Sequence, residues 1–549
     1  MKLNLRVEWI KKWNHKATLD NCRWKSNEQW HVVDIEELKP TDLDKLLALM
    51  ETDYVSTKGA LAVKQKIVNY RKLLQNVTGV KISRLEMLAQ AVKLLMLPTE
   101  HKWLFAENKD GYLVPWYVYN VEYEAPDLEN GRPACTKISM AATKRDSKVT
   151  ESLNFFTHQL GNTAYELLRQ RGYFVETPKI IEEYVKENAR YQEICGKLGA
   201  QFNATGDAFA MSDYYSRELV SLDRDKQAAQ VVMDDASDEN ERNEREREHI
   251  TGQFWLEKGE DDGGEAAEKS VVDLPLQPYV KVFDLKRHQF FIVHVGNLKE
   301  YVYDSTLIDK LILPPEHKEL VSMLVMGADL EMEDIVKGKT GGIIVVCTGP
   351  PGTGKTLTAE VFSEQVEHPL YCVQCSQLGT DEEALEKELK IVMDRAARWK
   401  AILLIDEADV YVHARGNDIQ QNAIVGTFLR VMEHYPGVMF MTSNREVIID
   451  DAIMSRATAW IRYELPTVER ARAIWQVLSA QYRVKLSDAD IHVLVEYEKF
   501  VRLSGRSIKN LLKLGNLMAQ FKKTPVTVDK IKYVSQFLDL ESATPEKRD

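Results

Sequence analysis

Residues 305–466 predict an α/β fold on a parallel sheet, with a small helical domain behind it and a mixed α/β region before it. Three observations carry this. Five apolar runs alternate with helical stretches: GGIIVVCT (341–348), PLYCVQC (369–375), AILLID (401–406), GVMFMTS (437–443) and WIRYEL (460–465). Strands that are apolar along their whole length and spaced by helices belong to a parallel sheet covered on both faces. After Pro466 the strand pattern stops, and helical spacing runs through 468–482, 487–497, 505–520 and 527–540. Before 305 helical and strand patterns mix without an internal repeat.

The chain has 549 residues, 44% apolar and 28% charged, an ordinary composition for folded domains. It excludes collagen-like, disulfide-scaffold and wholly disordered classes. No apolar run reaches the roughly 18 residues of a membrane-spanning helix, so no membrane role is expected. The first thirty residues carry charges throughout, so no secretory signal is expected. Six scattered cysteines fit reduced thiols and a cytoplasmic location. The net charge is −12, but Asp234 to Glu268 alone holds 14 acidic against 4 basic residues. That stretch has too few apolar residues to order itself and reads as a solvated insert or linker, with a regulated interaction tail as the second reading.

The resulting division is 1–233, a mixed α/β domain for a substrate or partner; 234–269, the acidic insert; 270–304, a strand-rich return to the N-terminal domain or a linker; 305–466, the α/β domain; 467–540, the helical domain; and 541–549, a tail. Within the first part, 59–75 and 82–96 have helical spacing, while YLVPWYVYNVEY (112–123) and CTKISMAAT (135–143) read as strands. An Asn-Gly turn signal lies between these strands. Thr177 and Pro178 mark a helix start, and 278–303 again reads as strands.

The strongest local signal is GPPGTGKT: Gly349, Pro350, Pro351, Gly352, Thr353, Gly354, Lys355 and Thr356, followed by Leu357 at the opening of a helical stretch. The glycines let backbone N–H groups curl around phosphates, and the helix start adds a positive dipole. Lys355 can reach the β- and γ-phosphates, and the Thr356 hydroxyl can hold Mg²⁺. In AILLIDEAD an apolar strand ends in Asp406 and Glu407. Paired carboxylates there are costly unless they meet a cation. Asp406 fits the Mg²⁺ acid, and Glu407 the base that activates water. Asn444 ends the strand VMFMTSN, where its amide can orient that water against a γ-phosphate. ATP and Mg²⁺ are therefore the expected cofactors.

GPPGTGKT, LLIDEAD, MTSN and IDDAIMSR, in that order, resemble the core of an AAA-family ATPase of the AAA+ superfamily, over roughly 305–540. The resemblance implies a P-loop NTPase sheet of five parallel strands in the order 5-1-4-3-2, a C-terminal helical lid, and a homo-oligomeric ring, usually hexameric, with each ATP held between neighbours. It also implies that Arg456 is the arginine finger lent to the neighbour's ATP, with a surface arginine as the alternative. The family's second nearby arginine is absent, because Ala457-Thr458-Ala459 follows. Arg506, in LSGRSIKN, matches the second sensor arginine of the superfamily; a surface residue at a helix start is the alternative. Polypeptide-threading relatives carry an aromatic residue in a loop after the second strand. Here SQLGTDEEA supplies Leu378-Gly379 without one.

Cys372 and Cys375 read as structural: on a strand an i/i+3 pair faces opposite ways. Tyr371 reads as core. Leu3, Leu5, Val7 and Trp9 alternate as a strand does. Trp9, Trp13, Trp24 and Trp30 fall among basic residues, so the N-terminus reads as a packed subdomain, ahead of a protein-partner surface and of single-stranded nucleic acid. His413 and Arg415 lie where relatives place ring-pore loops. The function expected is ATP-driven remodelling of a protein or macromolecular complex recruited by the N-terminal domain. The alternative is a slow ATP-gated assembly switch or a nucleic-acid loader.

Overall fold

The computed structural model describes residues 2–13, 30–34, 38, 40–52, 58–144, 147–211, 219–223, 227–235, 274–327, 342–379, 382–412, 419–444 and 449–538. Trp24, the acidic stretch beyond Asp235, the His413–Arg415 segment and the 541–549 tail lie outside these residues. Among the described residues the chain forms four sheets. No described helix is long and apolar enough to cross a membrane.

Lys2–Arg6 pairs antiparallel with Trp30–Asp34 and leads into a helix, Val7–Trp13. Val7 and Trp9 are thus helical, which corrects the strand expectation. Leu3 and Leu5 face inward from the strand, and Ile10 and Trp13 continue the buried stripe three residues apart. An apolar i, i+2 pattern that turns into i, i+3 cannot be split from sequence without knowing where the chain bends. Helices Pro40–Thr52 and Lys58–Gln75 close this small core.

The six-stranded sheet runs in the order Leu276–Gln277, Cys135–Lys144, Leu113–Glu124, Trp103–Glu107, Tyr173–Val175, with Ser147–Phe155 also paired to Cys135–Lys144. It is antiparallel except at Leu276–Gln277. Helix Leu85–Met96 lays Leu85, Leu88, Val92 and Leu95 on it. Asn130-Gly131 makes the expected turn, with Gly131 at φ 66° and the Asn130 N–H donating to Asp127 Oδ1 at 3.2 Å.

The seven-stranded antiparallel sheet takes strands from both sides of the acidic stretch: Gln201–Ala204, Asp207–Ala210, Leu219–Ser221 and Ala229–Met233 from before it, and Tyr279–Asp284, Gln289–His294 and Leu298–Glu300 from after it. Helix Pro178–Cys195 covers it, its first turn capped by Thr177 Oγ1, which accepts from the Ile180 N–H at 3.3 Å. A polar cluster is packed between the two larger sheets. His294 is fully buried, stacks on Tyr112 at 4.3 Å and sets Nε2 3.8 Å from Glu187 Oε2. Burial, with Arg190 and Lys144 nearby, lowers His294 to about 4. Burial, with Glu183 nearby, raises Glu187 to about 7. Lys144 Nζ lies 4.1 Å from the Tyr279 ring centre.

The α/β unit contains β1 (Ile343–Thr348), α1 (Lys355–Val366), β2 (Leu370–Gln374), α2 (Glu382–Arg398), β3 (Ile402–Asp406), α3 (Ile419–Met432), β4 (Val438–Ser443), α4 (Asp451–Arg456) and β5 (Ala459–Arg462). Its five strands are all parallel, in the order β2-β3-β4-β1-β5. Beyond it α5 (Val468–Gln481), α6 (Asp488–Glu496), α7 (Gly505–Phe521) and α8 (Val528–Val534) surround their own core at Trp475. Helix α8 stops at Val534 and a 3₁₀ turn follows, so the helical spacing expected over 527–540 covers only part of that span.

The seven-stranded sheet docks on this unit. Phe283 sits 5.0 Å from Trp399 and 5.5 Å from Tyr371, ring centre to ring centre. Arg398 Nη2 reaches Asp234 Oδ2 at 3.2 Å, and Asp234 is fully buried. Tyr301 Oη donates to Glu364 Oε1 on α1 at 2.5 Å.

Candidate active site

The loop after β1 is shaped by three glycines in the left-handed region, Gly349 at φ 139°, Gly352 at 75° and Gly354 at 106°. Two of them also sit where a side chain has no room. A Cβ on Gly349 would fall 2.1 Å from Tyr463 O, and one on Gly352 2.6 Å from Arg506 Cβ. The loop is thus clamped between the end of β5 and the start of α7, and the Arg506 N–H donates to Gly352 O at 3.3 Å.

Lys355 opens α1 and is buried. Its Nζ donates to Gly349 O at 2.7 Å and Pro350 O at 2.8 Å. Burial pushes its ammonium below its ordinary value, the cost of holding a cation out of water. Thr353 Oγ1 donates to Pro350 O at 2.8 Å. The Thr356 hydroxyl donates to Asp406 Oδ1 at 3.0 Å, bringing the two expected cation ligands together. One hydroxyl and one carboxylate, both hard oxygens, fit Mg²⁺, which keeps several of its waters.

Strands β3 and β4 run side by side to their carboxyl ends, where Asp406, Glu407 and Asn444 emerge. Glu407 adopts φ 56°, so the chain reverses there and lifts the carboxylate out of the strand. Three neighbours not singled out from the sequence hold this corner. Thr442 Oγ1 donates to Asp406 Oδ1 at 2.5 Å and accepts from the Glu407 N–H at 3.0 Å. Asp409 Oδ1 accepts from Ser443 Oγ and, at 3.2 Å, from the Asn444 N–H. The readable signal was a pair of hydroxyls, Thr442 and Ser443, closing an otherwise apolar strand. Cys375 lies in a 3₁₀ turn, Cys375–Gln377, rather than on β2. This corrects the strand placement: the pairing of β2 with β3 ends at Gln374 and Asp406, and the chain turns there. Tyr371 is buried in the core.

Gly352, Thr353, Gly354, Lys355, Thr356, Leu357, Asp406, Glu407, Asn444 and Arg506 line one cleft of about 730 Å³. The segment 310–317, α5 and α7 form its other wall and add Arg470 and Lys509. Gly349, Pro350 and Pro351, the first half of the loop, do not line it. Neither does Arg456, whose Nη2 meets Glu433 Oε2 at 3.2 Å.

Residues 345–465 match the family described as "ATPase family associated with various cellular activities (AAA)". They form an AAA ATPase domain. The chain is similar to the "ATPase family AAA domain-containing protein FIGL1" of Arabidopsis thaliana, 27% identical over 39% of this chain and 34% of that protein. It is also similar to the "ATP-dependent zinc metalloprotease FtsH 3" of Sphaerobacter thermophilus, 30% identical over 32% of this chain and 37% of that protein. The chain therefore spans about a third of the length of each. A solved structure titled "Structure of E. coli MS115-1 HORMA:CdnC:Trip13 complex" aligns with 43% of this chain and 92% of its own at 18% identity, with a TM-score of 0.36. The family match over residues 345–465 overlaps the five parallel strands, the loop after β1 and the carboxyl ends of β3 and β4.

Proposed function

We propose that this chain hydrolyses ATP at the AAA cleft and uses the cycle, within a homo-oligomeric ring of hexameric type, to remodel a protein or macromolecular complex. The observation that supports it best is the meeting of Lys355, Thr356, Asp406, Glu407 and Asn444 in one cleft. Lys355 and the loop N–H groups hold the β- and γ-phosphates. Glu407 takes a proton from the attacking water while the Asn444 amide orients it. Magnesium, when held by Thr356 and Asp406, supplies charge neutralisation at the phosphates. Arg456, which does not line its own cleft, acts as the arginine finger for a neighbouring copy. Residues 467–540 act as a lid, and Arg506 reports the γ-phosphate to it. Residues 1–233 and 270–304 select the target, in a cytoplasmic setting.

A second reading, a slow ATP-gated assembly switch or nucleic-acid loader, is favoured by Arg506 lining the cleft. Turnover measured with an unfolded protein, with DNA and with neither separates the two. Mg²⁺-dependent turnover that rises with protein supports the remodeller. Stimulation by DNA alone removes it, and no turnover under any condition removes both.

A further inference from the structure

The reading above uses only Asn444 from the polar end of β4. Thr442, two residues earlier, is buried, and it follows Met439, Phe440 and Met441 in the strand. In such a strand a residue present only for packing would be expected to be valine, which has the same shape without a polar group to satisfy. Here the hydroxyl makes two hydrogen bonds, one as donor and one as acceptor. It donates to Asp406 Oδ1 at 2.5 Å and accepts from the Glu407 N–H at 3.0 Å.

The second observation is the backbone of Glu407. Its φ of 56° is one that residues other than glycine rarely adopt and that persists only where the surroundings enforce it. Both of its peptide groups are held by side chains from other elements: the N–H by Thr442, and the carbonyl oxygen by the Cys375 thiol, which donates at 3.0 Å. The third is Asp406 Oδ1, which accepts two hydroxyls, Thr356 from α1 and Thr442 from β4. With Thr356 alone the carboxylate would be free to follow α1. With both, Oδ1 is held to the sheet as well as to α1.

We propose that Thr442 is a positioning residue that locks the cation-binding carboxylate of Asp406 and the strained backbone of Glu407 to each other, so that metal affinity and water activation depend on one hydroxyl. The inference rests on the nucleotide reading of the cleft. Thr442 lines the cleft beside Asp406 and Glu407 and acts through these two neighbours.

The test uses the full chain and two substitutions, Thr442→Val and Thr442→Ser. Binding of a fluorescent ATP analogue is followed against Mg²⁺ concentration and in EDTA, alongside kcat and KM. Thr442→Val should leave binding in EDTA unchanged, raise the Mg²⁺ concentration for half-maximal effect about tenfold, and lower kcat about tenfold or more, the scale of one lost hydrogen bond to a charged group. Thr442→Ser should restore most of both. A valine variant with the wild-type Mg²⁺ dependence and kcat overturns the inference and leaves the cleft's reading standing, as does a serine variant no better than valine. A wild-type chain whose nucleotide binding ignores Mg²⁺ overturns that reading and the inference together.

Discussion

In the α/β half, Lys355, Asp406, Glu407 and Asn444 stand around the carboxyl ends of parallel strands and face one open cleft. In the N-terminal half, His294, Glu187, Tyr112 and Lys144 are packed between two largely antiparallel sheets and face each other. Parallel strands must leave the sheet at the same end, so their chain reversals collect polar groups at a shared, solvent-reachable edge. Antiparallel strands turn back locally, and their polar groups are covered when a second sheet is laid on them. The first arrangement keeps charge available for a ligand. The second neutralises it, as the lowered His294 and raised Glu187 show. Perturbed titration marks a functional site only where the group also has somewhere to meet a substrate.

The contrast can be broken first on the chemical side. Arg456→Ala should cut turnover by on the order of 10³-fold or more while sparing nucleotide affinity. Mixing it with a Lys355→Ala chain should restore some turnover, and well-mixed assemblies without rescue would remove the arginine from the neighbour's cleft. Next comes the docking of the seven-stranded sheet on α2. Arg398→Met takes a guanidinium from the fully buried Asp234 and should cost about 3 kcal/mol in denaturant unfolding, with nucleotide affinity unchanged. An unaltered midpoint would show that this contact holds nothing. Gly296→Ala is milder. Its Cβ would fall 2.3 Å from Tyr112 Cζ, and the overpacking should cost about 1–3 kcal/mol.

The smallest effect is in pH dependence. His294, at about 4, takes up its proton later than it would unfolded, so on its own it loses stability as pH falls from about 6.5 towards 4. Glu187, at about 7, is protonated earlier in the fold; its contribution is present below its usual value and lost as pH rises through 7. The two oppose each other between pH 4.5 and 6.5. Glu187→Gln removes the second, so its melting temperature should fall more steeply than the wild type's between pH 7 and pH 5. Parallel curves would detach the carboxylate from the cluster.

The α/β half could be read closely from sequence because its information is local: apolar strands with fixed loop chemistry at their ends. The helix start at Thr177 and the Asn130-Gly131 turn were readable for the same reason. The N-terminal sheets were not, since Gln201–Ala204 pairs with Ala229–Met233 and Leu298–Glu300 through contacts that no periodicity records. The same holds within the site. Asp406 and Glu407 announce themselves by charge at the end of an apolar run. Thr442 gains its role only when β4 is laid beside β3, and Asp409 only when Ser443 and Asn444 turn towards it.

The most direct test is ATP binding and turnover by Glu407→Gln beside the wild type, in the presence of Mg²⁺. If the carboxylate at the tip of β3 is the base that activates water, the variant binds ATP as tightly as the wild type and turns it over about 10²–10⁴ times more slowly. Hydrolysis at close to the wild-type rate would contradict the assignment and leave the cleft a nucleotide-binding site whose chemistry lies elsewhere.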